Sequence, residues 1–264
     1  MGSATREALV ASRKALGALA DNDALAAGQQ LFEAGRVIGE SAQLRSMLAD
    51  ASVAATDKAA LIDRLFVSLG SPARTLLAGM VALRWSHHDQ LLAGIEEIGI
   101  RAVARSAPSG LSIEDEVFSF GAAVSSDPEL ELAVGSKLGS NAAKSALVTA
   151  LLKGKASEQT LAIVNHLVQQ PRGRRIGGLV RTAASIVADE AGLAVATVTS
   201  ASPISTAQLD RLRTGLSKSY GRQLEVNLVV DPSIVGGIRV QVGDDVIDGS
   251  ISTRINALRL TIAS

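Results

Sequence analysis

From Ala4 to about Arg105 the apolar residues return every three or four positions, the period of helices with one buried face. Leu9, Leu16 and Leu19 precede Asp21-Asn22-Asp23, a cluster expected to stop one helix and cap the next, which runs from Leu25 to Ile38. After Thr56-Asp57, Leu61, Ile62, Leu65, Phe66 and Leu69 share a face. Gly70 and Ser71-Pro72 close that helix and open another, because proline is tolerated in a first helical turn. The new helix carries Leu76, Leu77, Met80, Val81 and Leu83, and beyond Trp85 to Gln90 a further one carries Leu91, Leu92, Ile95 and Ile98. Short connections between such helices favour antiparallel neighbours, so residues 1–105 predict a bundle.

The pattern then recurs. Adding 86 to Lys58, Leu61, Ile62, Leu65, Phe66 and Ser71 lands on Lys144, Leu147, Val148, Leu151, Leu152 and Ser157, and the same offset takes Leu77 to Ile163 and Val81 to Leu167. Beyond the next loop an offset of 88 takes Leu91, Leu92 and Ile98 to Leu179, Val180 and Ile186, which implies a small insertion near Pro171 to Arg175. The identities at Lys144 and Ser157 in one register predict that residues 106–191 repeat the first bundle, with Ser106 to Gly110 as linker.

From Gly192 the period changes. Leu193, Val195, Thr197 and Thr199 alternate as a strand leading to Pro203. Ser205 and Gln208 are spaced as a capping box before a helix with Leu209, Leu212 and Leu216 on one face and Gly221 at its end. Leu224, Val226, Leu228 and Val230 alternate with Glu225, Asn227 and Val229, and Asp231-Pro232 ends that strand. Ile238, Val240 and Val242 form another, Gly243-Asp244-Asp245 turns into Val246-Ile247, and Ile251, Ile255, Leu258 and Ile262 stripe a last helix. The predicted fold is mainly α: two tandem helical bundles followed by a small α+β (β-α-β-β-α) domain over residues 192–264.

Asp231-Pro232-Ser233-Ile234-Val235-Gly236-Gly237-Ile238, then Gly243-Asp244-Asp245-Val246-Ile247-Asp248-Gly249-Ser250 and the leucine-bearing terminal helix, resemble the C-terminal signature of the δ subunit of bacterial F-type ATP synthases, counterpart of the oligomycin-sensitivity-conferring protein. The resemblance implies a non-catalytic stator, or peripheral-stalk, subunit of a proton-translocating complex. Its helical bundle would grip N-terminal segments of the α subunits in a groove between the first and a late helix, near Leu9-Leu16 and Leu77-Val81 in the first copy. Its C-terminal part would engage the C-terminal helix of the b subunit, so that the head stays still while the rotor turns. The family plan has one bundle where this chain shows two, leaving open which copy grips the head. A b-like anchor does not precede the bundle, so b is expected as a separate chain.

Composition agrees with helices: hydrophobic residues are 47% and aromatics 2% of the 264 residues. The 26 basic and 26 acidic residues cancel, giving no global field for nucleic acid. Without cysteine there is no disulfide or zinc-thiolate chemistry. The apolar runs are too short for a membrane span and the N-terminus lacks a signal-peptide core, so the expected place is the cytoplasmic face of the plasma membrane, peripheral in a hetero-oligomeric complex.

Candidate chemistry is thin, and no catalytic, cofactor or metal site is assigned. His87-His88 are adjacent helical positions pointing about 100° apart, poor metal ligands, and with the lone His166 read as exposed loop histidines. Glu96-Glu97 and Glu114-Asp115-Glu116 read as solvated helix faces or caps rather than acid-base pairs. Arg172-Gly173-Arg174-Arg175 suits a phosphate or acidic partner, but reads more simply as a solvated turn. Gly236-Gly237 lacks the lysine of a phosphate loop and reads as a bulge or close strand crossing. Asp244, Asp245 and Asp248 lack a calcium loop's closing Glu, so Asp248-Gly249-Ser250 reads as a helix-capping turn. The competing classes are a stand-alone helical adaptor for another soluble protein and, well behind it, an enzyme with an anion loop at Gly236-Gly237.

Overall fold

A computed structural model describes residues 2–136, 139–221, 224–231, 234, 236–242 and 245–249. The chain falls into two compact units, Met1–Val187 and Ala188–Ser264. In chain order the helices of the first are α1 (Ser3–Leu16), α2 (Asp21–Glu40), α3 (Ala42–Ala49), α4 (Ala55–Leu65), α5 (Ser71–Ala82), α6 (His88–Arg105), α7 (Ile113–Ser126), α8 (Pro128–Gly135), α9 (Asn141–Leu152), α10 (Glu158–Gln169) and α11 (Ile176–Glu190), the last crossing the unit boundary.

Local chemistry sets many of these limits. Ser41, Ser112, Asp127, Ser140 and Ser157 each accept a backbone N–H of the first turn of the helix they open. Asp21-Asn22-Asp23 behaves differently from the expectation. α1 already ends at Leu16, Ala20 is the residue before α2, and Asp21 and Asp23 sit inside the first turn of α2, where carboxylates favour the helix dipole without capping it.

Two hydrophobic clusters fill the unit, and α6 is the wall between them. Leu91, Ile95, Ile98 and Ala102 recur at helical spacing in one cluster with Leu9, Leu16, Leu31, Ile38, Ile62, Leu77 and Met80. Ile100 and Val103, on another face, join the second cluster with Phe32, Val117, Val124, Val148, Ile163, Leu167 and Leu179. A helix with an apolar stripe toward each cluster is buried nearly all round, and α6 is buried from Leu91 to Val103 apart from Ala93 and Glu97. α2 lies against it so closely that a Cβ on Gly28 would stand 2.7 Å from the carbonyl oxygen of Gly99.

The second unit carries a mixed four-stranded sheet in the order β2-β1-β3-β4, with β1 (Ala194–Ser200), β2 (Leu224–Val230), β3 (Ile238–Val242) and β4 (Asp245–Asp248). β1 and β2 are parallel and joined through α12 (Thr206–Tyr220); β1 with β3 and β3 with β4 are antiparallel. The core is Ala196, Val198, Leu216, Leu224, Val240 and Val242. The capping box forms, with Gln208 Oε1 accepting the Ser205 N–H at 3.0 Å, and Gly221 ends α12 at φ 66°.

Two details of this unit differ from expectation. In β1 the buried positions are Ala196, Val198 and Ser200, while Thr197 and Thr199 stay partly exposed; hydrogen-bonded on both edges, this central strand is not polarised by its threonines. Asp245–Asp248 is a fourth strand rather than only a turn, because its backbone pairs with β3 while Val246 and Ile247 remain exposed and supply no burial signal. The expected terminal helix with Ile251, Ile255, Leu258 and Ile262 lies outside the described residues, as do Pro232, Ser233, Val235, Gly243, Asp244 and Ser250.

Candidate functional site

The densest polar chemistry in the helical unit lies where the two clusters meet. Glu96 follows the stripe of α6 that carries Ile100 and Val103, so its side chain faces α10 rather than water and is 6% exposed. Arg174 donates to both of its oxygens, Nη1 to Oε1 at 2.9 Å and Nη2 to Oε2 at 2.8 Å, the bidentate geometry that suits a carboxylate. Arg172 Nη2 lies 2.9 Å from Oε2, and His166 Nε2 donates to the same oxygen at 3.2 Å. Burial pushes the Glu96 carboxyl up, but the hydrogen bonds from His166 and Arg174 and the charges of Arg172 and Arg174 outweigh it and hold the pKa at about 2.

His166 is a correction to the sequence reading. It is a buried residue of α10, stacked on Phe32 of α2 with ring centroids 4.1 Å apart and planes 13° apart. Burial lowers its pKa, against the raising effect of Glu96. The network fixes its tautomer: the carboxylate only accepts, so Nε2 carries the proton, and Nδ1 has no hydrogen-bond partner, as suits a neutral ring.

Glu96 and the arginines correct the reading too. Glu96 is not on a solvated face, and the turn of Arg172-Gly173-Arg174-Arg175 is turned inward onto it, leaving Arg175 exposed. Arg172 has φ 48° and Gly173 φ 76°, with Arg174 N–H donating to Pro171 O at 2.9 Å: a tight turn with both central residues left-handed. An arginine adopts that backbone at a cost, offset here by its ion pair to Glu96. One further contact spans the seam, Gln170 Nε2 to the Gly35 carbonyl at 2.9 Å.

Elsewhere the expected exposure holds for His87 and His88 but not for Glu97, largely covered, or Glu114, which is buried. His87 and His88 are exposed at the start of α6. Glu97 takes Arg13 Nε of α1 and Arg101 Nε, each at 2.9 Å. Glu114 is buried in the first turn of α7, Asp115 receives the Ser112 cap, and Glu116 accepts Ser157 N–H at 2.9 Å and Ser157 Oγ at 2.6 Å. Gly236 and Gly237 both have positive φ, 88° and 84°, which explains glycine there. The Gly236 amide donates to Ile234 O at 2.7 Å, so it is not offered to an anion.

α1 is fixed to the same bundle by a second set of contacts. Thr5 Oγ1 accepts the Ser86 N–H at 3.1 Å and bonds to Gln90, while Arg105 Nη1 donates to Leu16 O at 2.8 Å. Its Val10 points outward at 66% exposure. Among the described residues no helix is long and apolar enough to cross a membrane.

Fold and site together describe a helical scaffold whose polar clusters bind its own helices to one another. The ATP synthase delta (OSCP) subunit family model matches residues 101–262, from the end of α6 through the C-terminal unit. A protein of Leifsonia xyli subsp. xyli named ATP synthase subunit delta is 51% identical over the full length of both chains. One of Streptomyces avermitilis with the same name is 40% identical over 99% of this chain and 98% of its own. A chain of the Toxoplasma gondii mitochondrial ATP synthase hexamer covers 64% of this chain and 96% of its own, at 18% identity and a TM-score of 0.43, too distant a likeness to carry an argument.

The chain belongs to the ATP synthase delta (OSCP) subunit family. It is a non-catalytic stalk component and a peripheral part of the membrane-bound complex. The family model leaves out the first hundred residues, whereas the full-length relatives align across them.

Proposed function

We propose that this protein is the two-ended link of the stator: its helical part holds the N-terminal segments of the α subunits, its C-terminal part holds the C-terminal helix of the b subunit, and both lie on the cytoplasmic face. The observation carrying the reading is the full-length relation to proteins named ATP synthase subunit delta. A stiff link requires fixed joints, and the buried Glu96 cluster and the α2–α6 close approach supply two.

The same reading divides the chain into bundles 1–105 and 106–191 and the domain 192–264, the second bundle being a repeat of the first. Helix limits support the repeat: α2 ends at Glu40 and α7 at Ser126, α3 begins at Ala42 and α8 at Pro128, α4 at Ala55 and α9 at Asn141, all 86 apart. The buried pairs Leu31 and Val117, Ile38 and Val124, Ile62 and Val148, and Leu77 and Ile163 keep that spacing. Even Lys58 and Lys144 are both buried, as long stems can be along an apolar face.

Titrating the full chain by calorimetry with an α N-terminal peptide and with a b C-terminal helix tests the link. Saturable binding of both at micromolar affinity is expected. Binding of neither would favour the adaptor alternative, a helical protein with another soluble partner.

A further inference from the structure

Beside the Glu96 cluster the helical unit holds a cavity of about 450 Å³. Three arginines from separate elements line it: Arg36 of α2, Arg45 of α3 and Arg172 of the loop before α11. The amide residues Asn141, Gln169 and Gln170 share the wall. All three arginines are half-buried, whereas the two acids that border the cavity, Glu40 and Asp89, are exposed.

The positive charge of this cavity is not answered by the chain. Among the described residues Arg36 and Arg45 have no hydrogen bond and no ion pair, and neither Glu40 nor Asp89 pairs with an arginine; Asp89 lies 3.5 Å from His88 Nε2 instead. Arg172 gives Nη2 to Glu96 at 2.9 Å, yet its Nε is buried without a hydrogen-bond partner, and so is the Nε of Arg45. Burial lowers the Arg172 pKa, with Glu96 opposing and Arg174 adding to the drop. Buried donors left without acceptors and like charges held close together are both unfavourable, and an anion relieves both.

The chemistry of the anion follows from the donors. A guanidinium presents a planar fork of N–H groups that matches the oxygens of a carboxylate or a phosphate. The neighbouring cluster shows what one carboxylate takes: Glu96 is satisfied by two arginines and a histidine. Three further converging guanidinium and amide walls call for more oxygens and more charge than a single carboxylate carries. The volume falls within the roughly 300–1,000 Å³ usual for small-molecule sites, so a phosphate with a substituent fits.

We propose that this cavity is a binding site for a phosphate-bearing small molecule, held by Arg36, Arg45 and Arg172 with amide donors from Asn141, Gln169 and Gln170. A bound phosphate ties α2 and α3 to the loop before α11, adding a ligand-dependent joint to the helical unit. The site needs no partner subunit and stands or falls apart from the two-ended link.

The experiment titrates the full chain with inorganic pyrophosphate at fixed ionic strength, followed by calorimetry and by nitrogen-15 NMR of the arginine Nε–H groups. One site per chain, with shifted Nε–H signals for Arg45 and Arg172, is expected. Arg36→Gln and Arg45→Gln each remove a cation that has no ion pair, so they should leave the fold intact and weaken binding at least tenfold. Arg64→Gln, at an exposed arginine outside the cavity, should leave binding unchanged. Orthophosphate and a sugar phosphate should both displace pyrophosphate, the tighter of the two showing whether the favoured group is free or esterified, while acetate should not. Absence of saturable binding up to about 10 mM, equal weakening by Arg64→Gln, or unmoved Arg45 and Arg172 signals would overturn the site. Acetate competing as well as orthophosphate would overturn the assignment to phosphate.

Discussion

Arg174 clasps Glu96 with two nitrogens at 2.9 and 2.8 Å across 78 residues of chain, joining the loop before α11 to the middle of α6. The acid stands on the helix shared by the two hydrophobic clusters and the base on a loop beside the second, so the pair fixes how that loop lies against α6. Removing the acid strands Arg172, itself largely buried, without its counter-charge. Glu96→Ala is expected to destabilise the helical unit by about 3 kcal/mol, whereas Arg174→Gln, at an exposed arginine with Arg172 still in place, should cost about 1 kcal/mol. Denaturant unfolding followed by the fluorescence of Trp85, the chain's one tryptophan, measures both.

The same cluster makes stability depend on pH in two windows. His166 has a folded pKa below its ordinary 6.5, so below that pH the unfolded chain takes up a proton the folded chain refuses, and stability falls as pH drops. Glu96 has a folded pKa of about 2 against an ordinary 4.5; its contribution is present above 4.5 and is lost as pH falls toward 2. His166→Gln should flatten the decline just below pH 6.5 and leave the acid limb below 4.5. An unchanged slope in the upper window would show that His166 titrates normally.

Gly28 faces the Gly99 carbonyl and Val103 across α2 and α6, and a Cβ there would stand 2.6 Å from Val103 Cγ2 and 3.0 Å from its backbone nitrogen. Backbone cannot step aside as a side-chain tip can. Gly28→Ala should therefore lower stability by about 1–3 kcal/mol despite alanine's better helix propensity. Gly79→Ala, with no atom within 4 Å of the new methyl, should be neutral or stabilising in the same assay.

Ser157 is held by Glu116, which accepts both its N–H and its hydroxyl, while the hydroxyl oxygen caps Thr160 of α10. Ser157→Ala removes the cap and one of the two bonds to the carboxylate, an expected loss of about 1–2 kcal/mol. Thermal unfolding followed by circular dichroism would show it.

Much of this architecture was legible as periodicity. Ile62, Leu77 and Ile95, with Val148, Ile163 and Leu179 further along the chain, announce buried faces by spacing alone, and the Ser205 to Gln208 box and Gly221 mark both ends of α12. The seam was not legible in the same way. Glu96 sits on a stripe with Ile100 and Val103, four and seven residues on, and that spacing is the signal that places it inside. It was masked by Leu91, Ile95 and Ile98, a stripe sufficient by itself for an ordinary amphipathic helix. His166 and Arg172 to Arg174 gave no local sign, because their burial depends on Glu96 and Phe32, far away in sequence. In β1 the threonines carried the alternation while Ala196 and Val198 carried the core.

The central claim is that one protein holds two partners at once, and the direct measurement is the mass of the assembly formed by the full chain with both the α N-terminal peptide and the b C-terminal helix, read by light scattering after gel filtration. A single species with one copy of each is predicted, with each partner's affinity unchanged by the other. Mutual displacement of the two partners, or free chain alone with both at tens of micromolar, would contradict the two-ended link.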